Sequence, residues 1–135
     1  MLDAMLDTSV CIRLMRREAT ALLERFNAAA PSLCISTIVL TELLRGVPRS
    51  VEPARSREKV VKLVARLEVL DFDSAAAAHA AEIAATLASR GQTIGPFDTL
   101  IAGHARSRAL VVVTGNIREF ARVDGLRCED WEAAA

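Results

Sequence analysis

Four side chains could share one chemistry if the fold brings them together: Asp7, Glu42, Asp98 and Asn116. Three are carboxylates and the fourth offers an amide oxygen. Carboxylates gathered in a low-dielectric crevice repel, so at least one holds a proton unless a cation is bound. Mg²⁺ and Mn²⁺ relieve that repulsion, and both prefer oxygen ligands. Each residue also has a plainer role open to it. Asp7, followed by Thr8 and Ser9, suits a turn or a helix cap. Glu42, with apolar residues on both sides, suits the solvent face of a helix. Asn116 with Glu119 three residues later fits a capping box. Asp98 fits the first turn of a helix, where the dipole favours an acid by about 0.3–1 kcal/mol.

The elements that must position these residues alternate along the chain. Residues 2–6 read as a buried strand, so Asp7 sits at its carboxyl end, and Thr8 or Ser9 is expected to cap the helix that follows. Thr20–Ala29 is a second helix with an apolar stripe of Leu22, Leu23 and Phe26. Residues 33–36 form a strand, and Ser36 or Thr37 caps the helix over 38–45 that carries Glu42. Residues 49–58 read as a polar loop, followed by a helix over about 58–67 with Val60, Leu63, Val64 and Leu67 at helical spacing. Val69 and Leu70 form a short strand, and Asp73 or Ser74 caps an alanine-rich helix over 75–90 ending at Gly91. Gly95 and Pro96 open the helix of Asp98, since proline is favoured at the first helical position. Residues 109–113 are apolar throughout, as in a central parallel strand. A short helix over 117–122 and an edge strand over 126–128 close the chain. This alternation predicts an α/β fold in one domain over 1–135, with a mainly parallel sheet of four to five strands. In such sheets ligands bind outside the carboxyl ends of the strands, where all four residues can face one crevice.

Bulk composition narrows the classes. The chain has 135 residues, enough for one core, and its 25% charged content is that of a globular protein. Formal net charge is zero, which gives no support to a nucleic-acid coat protein. Aromatics are 4%, too few for an extended base-stacking platform. Cys11, Cys34 and Cys128 form no zinc pattern and no disulfide framework, so they read as core residues of a reduced, cytoplasmic protein. No apolar run approaches the roughly 18 residues of a membrane span, and the start of the chain does not resemble a signal peptide. His79 and His104 stand in alanine-rich segments as packed or surface residues rather than metal ligands.

Four segments, MLDTS at 5–9, TELLRG at 41–46, GQTIGPFDTLIAGHA at 91–105 and VVTGNIREFARV at 112–123, resemble PIN-domain ribonucleases of the VapC toxin type. The resemblance implies a three-layer α/β/α fold. It places Asp7, Glu42 and Asp98 on the family's acidic metal-site positions, with Asp7 and Asp98 as direct ligands of Mg²⁺ or Mn²⁺. Asn116 falls where many members have a fourth acid, with Glu119 near enough to compensate. On that reading an aspartate at 116 keeps or raises activity. Thr8 and Thr114 stand beside the site as contacts for water or phosphate. Arg45 is the first candidate for a phosphate contact, and Arg13, Arg106 and Arg118 are weaker ones. The implied reaction is hydrolysis of RNA phosphodiester bonds, leaving a 5′-phosphate and a 3′-hydroxyl. The implied partners are an antitoxin that covers the groove and a second copy of the chain. The helices around residues 21–26 and 60–67 are apolar enough to carry a partner stripe.

Two other readings compete. A receiver-like signalling domain also binds Mg²⁺ at such a sheet edge, but it needs paired early acids and a late lysine, and the lysines here are Lys59 and Lys62. A PIN-fold binding module without catalysis draws its support from Asn116.

Overall fold

The computed structural model describes residues 1–17 and 19–132. Five strands form one sheet: β1 (Ala4–Leu6), β2 (Leu33–Ser36), β3 (Glu68–Leu70), β4 (Val111–Val113) and β5 (Cys128–Glu129). All neighbouring pairs are parallel, in the order β3-β2-β1-β4-β5. The order reverses direction at β1, which lies between β2 and β4. Every residue of β1 and β2 is buried, so the apolar runs read from the sequence are the sheet's centre. Seven α-helices among the described residues complete a three-layer α/β/α fold: α1 (Thr8–Arg16), α2 (Thr20–Ala29), α3 (Thr37–Gly46), α4 (Pro53–Val64), α5 (Ser74–Ser89), α6 (Pro96–Ser107) and α7 (Ile117–Phe120). Met5, Leu6, Ile35, Val112, Phe26, Phe120 and Ile101 are the heart of the core.

Three boundaries differ from the sequence reading for physical reasons. Helix α4 begins at Pro53, inside the expected polar loop. Its first turns face solvent and carry no apolar period, and Glu58 and Lys62 pair across one turn at 2.9 Å. Strand β4 starts at Val111 because Ala109 is left-handed at φ 55°, and Leu110 N–H turns back to the Ala105 carbonyl to close α6. The last strand is Cys128–Glu129 rather than 126–128, since pairing with Val112 and Val113 sets its register.

Helices α5 and α6 approach very closely. A Cβ on Gly103 would lie 2.5 Å from the Ala80 backbone nitrogen, so only glycine fits there. The alanine richness of α5 is thus a packing surface that seats α6, the helix carrying Asp98. His104, also on α6, is buried, with Nδ1 2.8 Å from Ser36 Oγ, and burial holds its imidazole below the ordinary histidine range. It is a packed residue, as the sequence suggested. Cys11 and Cys34 are buried free thiols, and Cys128 is half-buried.

Candidate active site

The site begins with strand register. Leu6 pairs with Val113, so the next residues, Asp7 and Thr114, emerge side by side at the carboxyl edge. Asp7 N–H donates to the Val113 carbonyl at 3.1 Å, and Thr114 Oγ1 donates to Asp7 Oδ2 at 2.5 Å. Asp7 Oδ1 accepts from Ser9 Oγ at 2.8 Å and from Val10 N–H at 3.0 Å. Asp7 itself is therefore the N-cap of α1, in place of Thr8 or Ser9. Its extended backbone continues the strand while its carboxylate folds back onto the helix's unpaired N–H groups. Asp7 is only 3% exposed, and burial pushes its carboxyl above the ordinary range against the pull of these three donors.

Thr8, released from capping, donates to Glu42 Oε1 at 2.5 Å and ties the first turn of α1 to α3. Glu42 is half-buried between α1 and α3 rather than on an open helix face. Asp98 is the third residue of α6, after a start that Gly95 and Pro96 make without any side-chain cap. Burial first, then the neighbouring charges of Asp7, Glu119 and Glu42, push its carboxyl up from 3.8 to about 6.

Asn116 makes no capping bond to α7, so the expected capping box is absent. Its amide nitrogen instead donates to Glu119 Oε2 at 2.8 Å, and its backbone N–H donates to Thr114 Oγ1 at 2.8 Å. Glu119 in turn faces the Asp98 carboxyl, which donates to it when protonated. The fourth acid beside Asp7, Glu42 and Asp98 is thus Glu119, one helical turn past Asn116, and Asn116 orients it. The short α7 places these two side chains together, which its sequence spacing alone left open between capping and charge.

The basic candidates separate clearly. The Arg45 guanidinium lies 5.2 Å over the Phe97 ring at the rim, exposed and next to both the Glu42 and the Asp98 helices. Arg118 is exposed on α7. Arg13 is held by Glu132 at 2.5 Å. Arg106 is withdrawn from any substrate role: it bonds His79 Nδ1 at 2.9 Å, Glu82 at 2.9 Å and the Asp124 carbonyl at 2.9 Å, a clamp between α5 and α6. Phe97 gave no signal in the sequence beyond its place next to Asp98. Ser9 was visible only as an alternative cap.

Among the described residues, no ion pair neutralises Asp7, Glu42, Asp98 or Glu119. Nor is any group of three or more Asp, Glu, His or Cys side chains gathered tightly enough to hold an ion unaided. The donors are all hard oxygens. That set fits Mg²⁺ or Mn²⁺, ions that take one or two carboxylates and keep several waters, better than a metal caged wholly by protein.

A model of the PIN domain family matches residues 4–126. The tRNA(fMet)-specific endonuclease VapC of Shigella flexneri is 49% identical over 97% of this chain and 99% of its own length. The chain belongs to the PIN-domain family, among ribonuclease toxins of the VapC type. Ribonuclease VapC2 of Haemophilus influenzae is 41% identical over 97% of this PIN domain and 99% of its own length. A crystal structure of DNA-bound VapBC from Salmonella typhimurium superposes with a TM-score of 0.93 at 49% identity, covering 97% of this chain and 99% of that one. The acid edge described above is therefore set in the architecture of a VapC-type toxin.

Proposed function

We propose that this PIN domain is a divalent-metal-dependent endoribonuclease that cuts transfer RNA, kept inactive by a cognate antitoxin. The observation that carries the metal reading is Asp98. Its carboxyl is pushed to about 6 by burial and three acid neighbours, and no ion pair among the described residues offsets them. Asp7 and Asp98 are the residues that would hold the ion, with Glu119 completing the charge. A bound Mg²⁺ or Mn²⁺ supplies the Lewis acidity that activates a water and offsets charge developing on the phosphoryl group. The chain's own residues do the positioning. Thr114 and Ser9 fix the Asp7 carboxylate, Asn116 fixes Glu119, and Thr8 holds one oxygen of Glu42. Glu42 Oε2 is the atom we assign to orienting the attacking water. Arg45, braced on Phe97, is the phosphate contact at the rim.

The transfer-RNA substrate rests on the names of the 49% identical relatives in Shigella flexneri and Salmonella typhimurium. The antitoxin rests on the VapBC neighbours. A groove of about 330 Å³ between α1, α2 and α4 has Leu14, Leu23, Phe26 and Leu63 in its walls beside Arg17, Arg55, Lys59, Lys62 and Arg66, and so suits an amphipathic partner segment that carries acids. These are the helices whose apolar stripes the sequence offered to a partner. The retained acids Asp7, Glu42 and Asp98 count against a module without catalysis. Purified chain incubated with initiator and elongator transfer RNAs tests the reading. Cutting of the initiator with Mg²⁺, abolished by chelator and by Asp98→Asn, is expected. Equal cutting with chelator would overturn the metal role, and equal cutting of both RNAs would overturn the specificity.

A further inference from the structure

We propose that a cavity beside the acid cluster is a nucleobase subsite, in which Trp131 stacks an unpaired base of the RNA next to the scissile phosphate. The inference rests on the ribonuclease reading above and adds a second contact to it. The cavity measures about 210 Å³. Val10, Leu22 and Trp131 give it apolar walls, and Ser9, Gly115 and Asn116 line the side shared with the acids. Ser9 Oγ is 2.8 Å from Asp7 Oδ1, and the Asn116 amide holds Glu119. An occupant of this cavity is therefore a direct neighbour of the reacting phosphate.

Charge selects a base over a phosphate. Asp130, which no ion pair among the described residues offsets, borders the cavity and would repel an anion. Arg13, the cation in the wall, is already held by Glu132 at 2.5 Å. A flat, uncharged ring suits this setting, and the Asp130 carboxylate can accept from its exocyclic amine or ring N–H. The indole is fixed before any RNA arrives. The Arg25 guanidinium lies 4.6 Å from its ring centroid, and Trp131 Nε1 donates to Glu129 Oε1 at 3.0 Å. Aromatic content too low for a stacking platform is sufficient here, because one base needs one ring. Stacking on an aromatic ring tolerates any base, so this subsite grips an unstacked strand and leaves sequence choice to other contacts.

Trp131 is the single tryptophan of the chain and there is no tyrosine, so intrinsic fluorescence reports on this position alone. The test titrates wild-type protein, under chelator, with a short single-stranded adenylate RNA, and repeats it with an abasic nucleotide moved along the strand. We expect saturable quenching that disappears when one particular nucleotide is abasic. Trp131→Leu should weaken RNA binding about 30-fold, the central value for one stacked base. With Mg²⁺ it should raise KM and leave kcat near wild type, as for a contact equally strong in ground and transition states. Trp131→Phe should restore most of the affinity. RNA that binds by anisotropy and is cut without quenching, with Trp131→Leu equal to wild type, would overturn the subsite and leave the ribonuclease reading intact. No binding and no cutting by wild type with metal would overturn both. The abasic series uses unaltered protein, so it decides the matter even if Trp131→Leu is unstable.

Discussion

Asp98→Asn keeps the shape of a side chain at the centre of the acid cluster and removes its charge. The folded protein holds the Asp98 proton more tightly than the unfolded chain, since its carboxyl stands at about 6 against an ordinary 3.8. The stabilising contribution of that proton is present below pH 3.8 and is lost as pH rises through about 6. At pH 8 the wild type therefore carries the full cost of the ionised cluster. At about 1.36 kcal/mol per pH unit, the gap sets a ceiling near 3 kcal/mol. Asp98 is only half-buried, and solvent screening reduces that to about 1.5 kcal/mol. Loss of the favourable helix-dipole contact removes about 0.5 kcal/mol more. A net gain of about 1 kcal/mol remains, or about 3–5 °C in Tm for a chain of this size. Thermal unfolding with chelator at pH 8 should show Asp98→Asn more stable than wild type, and the advantage should vanish near pH 4. Millimolar Mg²⁺ should raise the wild-type Tm and leave the variant nearly unchanged. A variant no more stable than wild type at pH 8 would refute the coupling of these acids, and with it the argument for a cation.

Asn116→Asp should lower activity, the reverse of the expectation drawn from the sequence. It removes the donor that holds Glu119 at 2.8 Å and adds another negative charge. Loss of a hydrogen bond to a charged group costs about 1.5–3 kcal/mol, so initial cleavage rates should fall about 10-fold or more, and an unchanged rate would return Asn116 to a bystander. Thr114→Val is isosteric but leaves both Asp7 Oδ2 and the Asn116 N–H without their partner. It should cost about 1.5–3 kcal/mol in chemical denaturation and reduce cleavage, whereas a silent substitution would mean that Thr114 does not position Asp7. Gly103→Ala should destabilise by about 3 kcal/mol, because its Cβ meets the Ala80 backbone at 2.5 Å and overpacking forces α5 and α6 apart. A Tm within a degree or two of wild type would show that the helices can separate without strain.

Some of this protein was settled by local pattern. The apolar runs of β1 and β4, and of β2 up to Ser36, announced a buried parallel sheet, because a strand covered on both faces needs no polar alternation. Asp73 and Gly91 marked the two ends of α5, and Gly95-Pro96 marked the start of α6, through backbone chemistry that needs no distant partner. Asp7, Glu42 and Asp98 were legible as acids that a carboxyl edge could gather. What the sequence left open was decided by contacts between distant segments. The pairing of Leu6 with Val113 turned Asp7 into a cap that is also clamped by Thr114, 107 positions away. Asn116 and Glu119 looked like a helix cap because their spacing allows it. Only the approach of α7 to Asp98 made Glu119 the fourth acid, with Asn116 as its support. Arg106 stood among the weaker candidates for a phosphate contact until α5 and the segment around Asp124 closed on it. Local spacing fixes which residues lie on one turn. Whether a carboxylate there caps, binds or repels depends on the charges and donors that the rest of the fold brings against it.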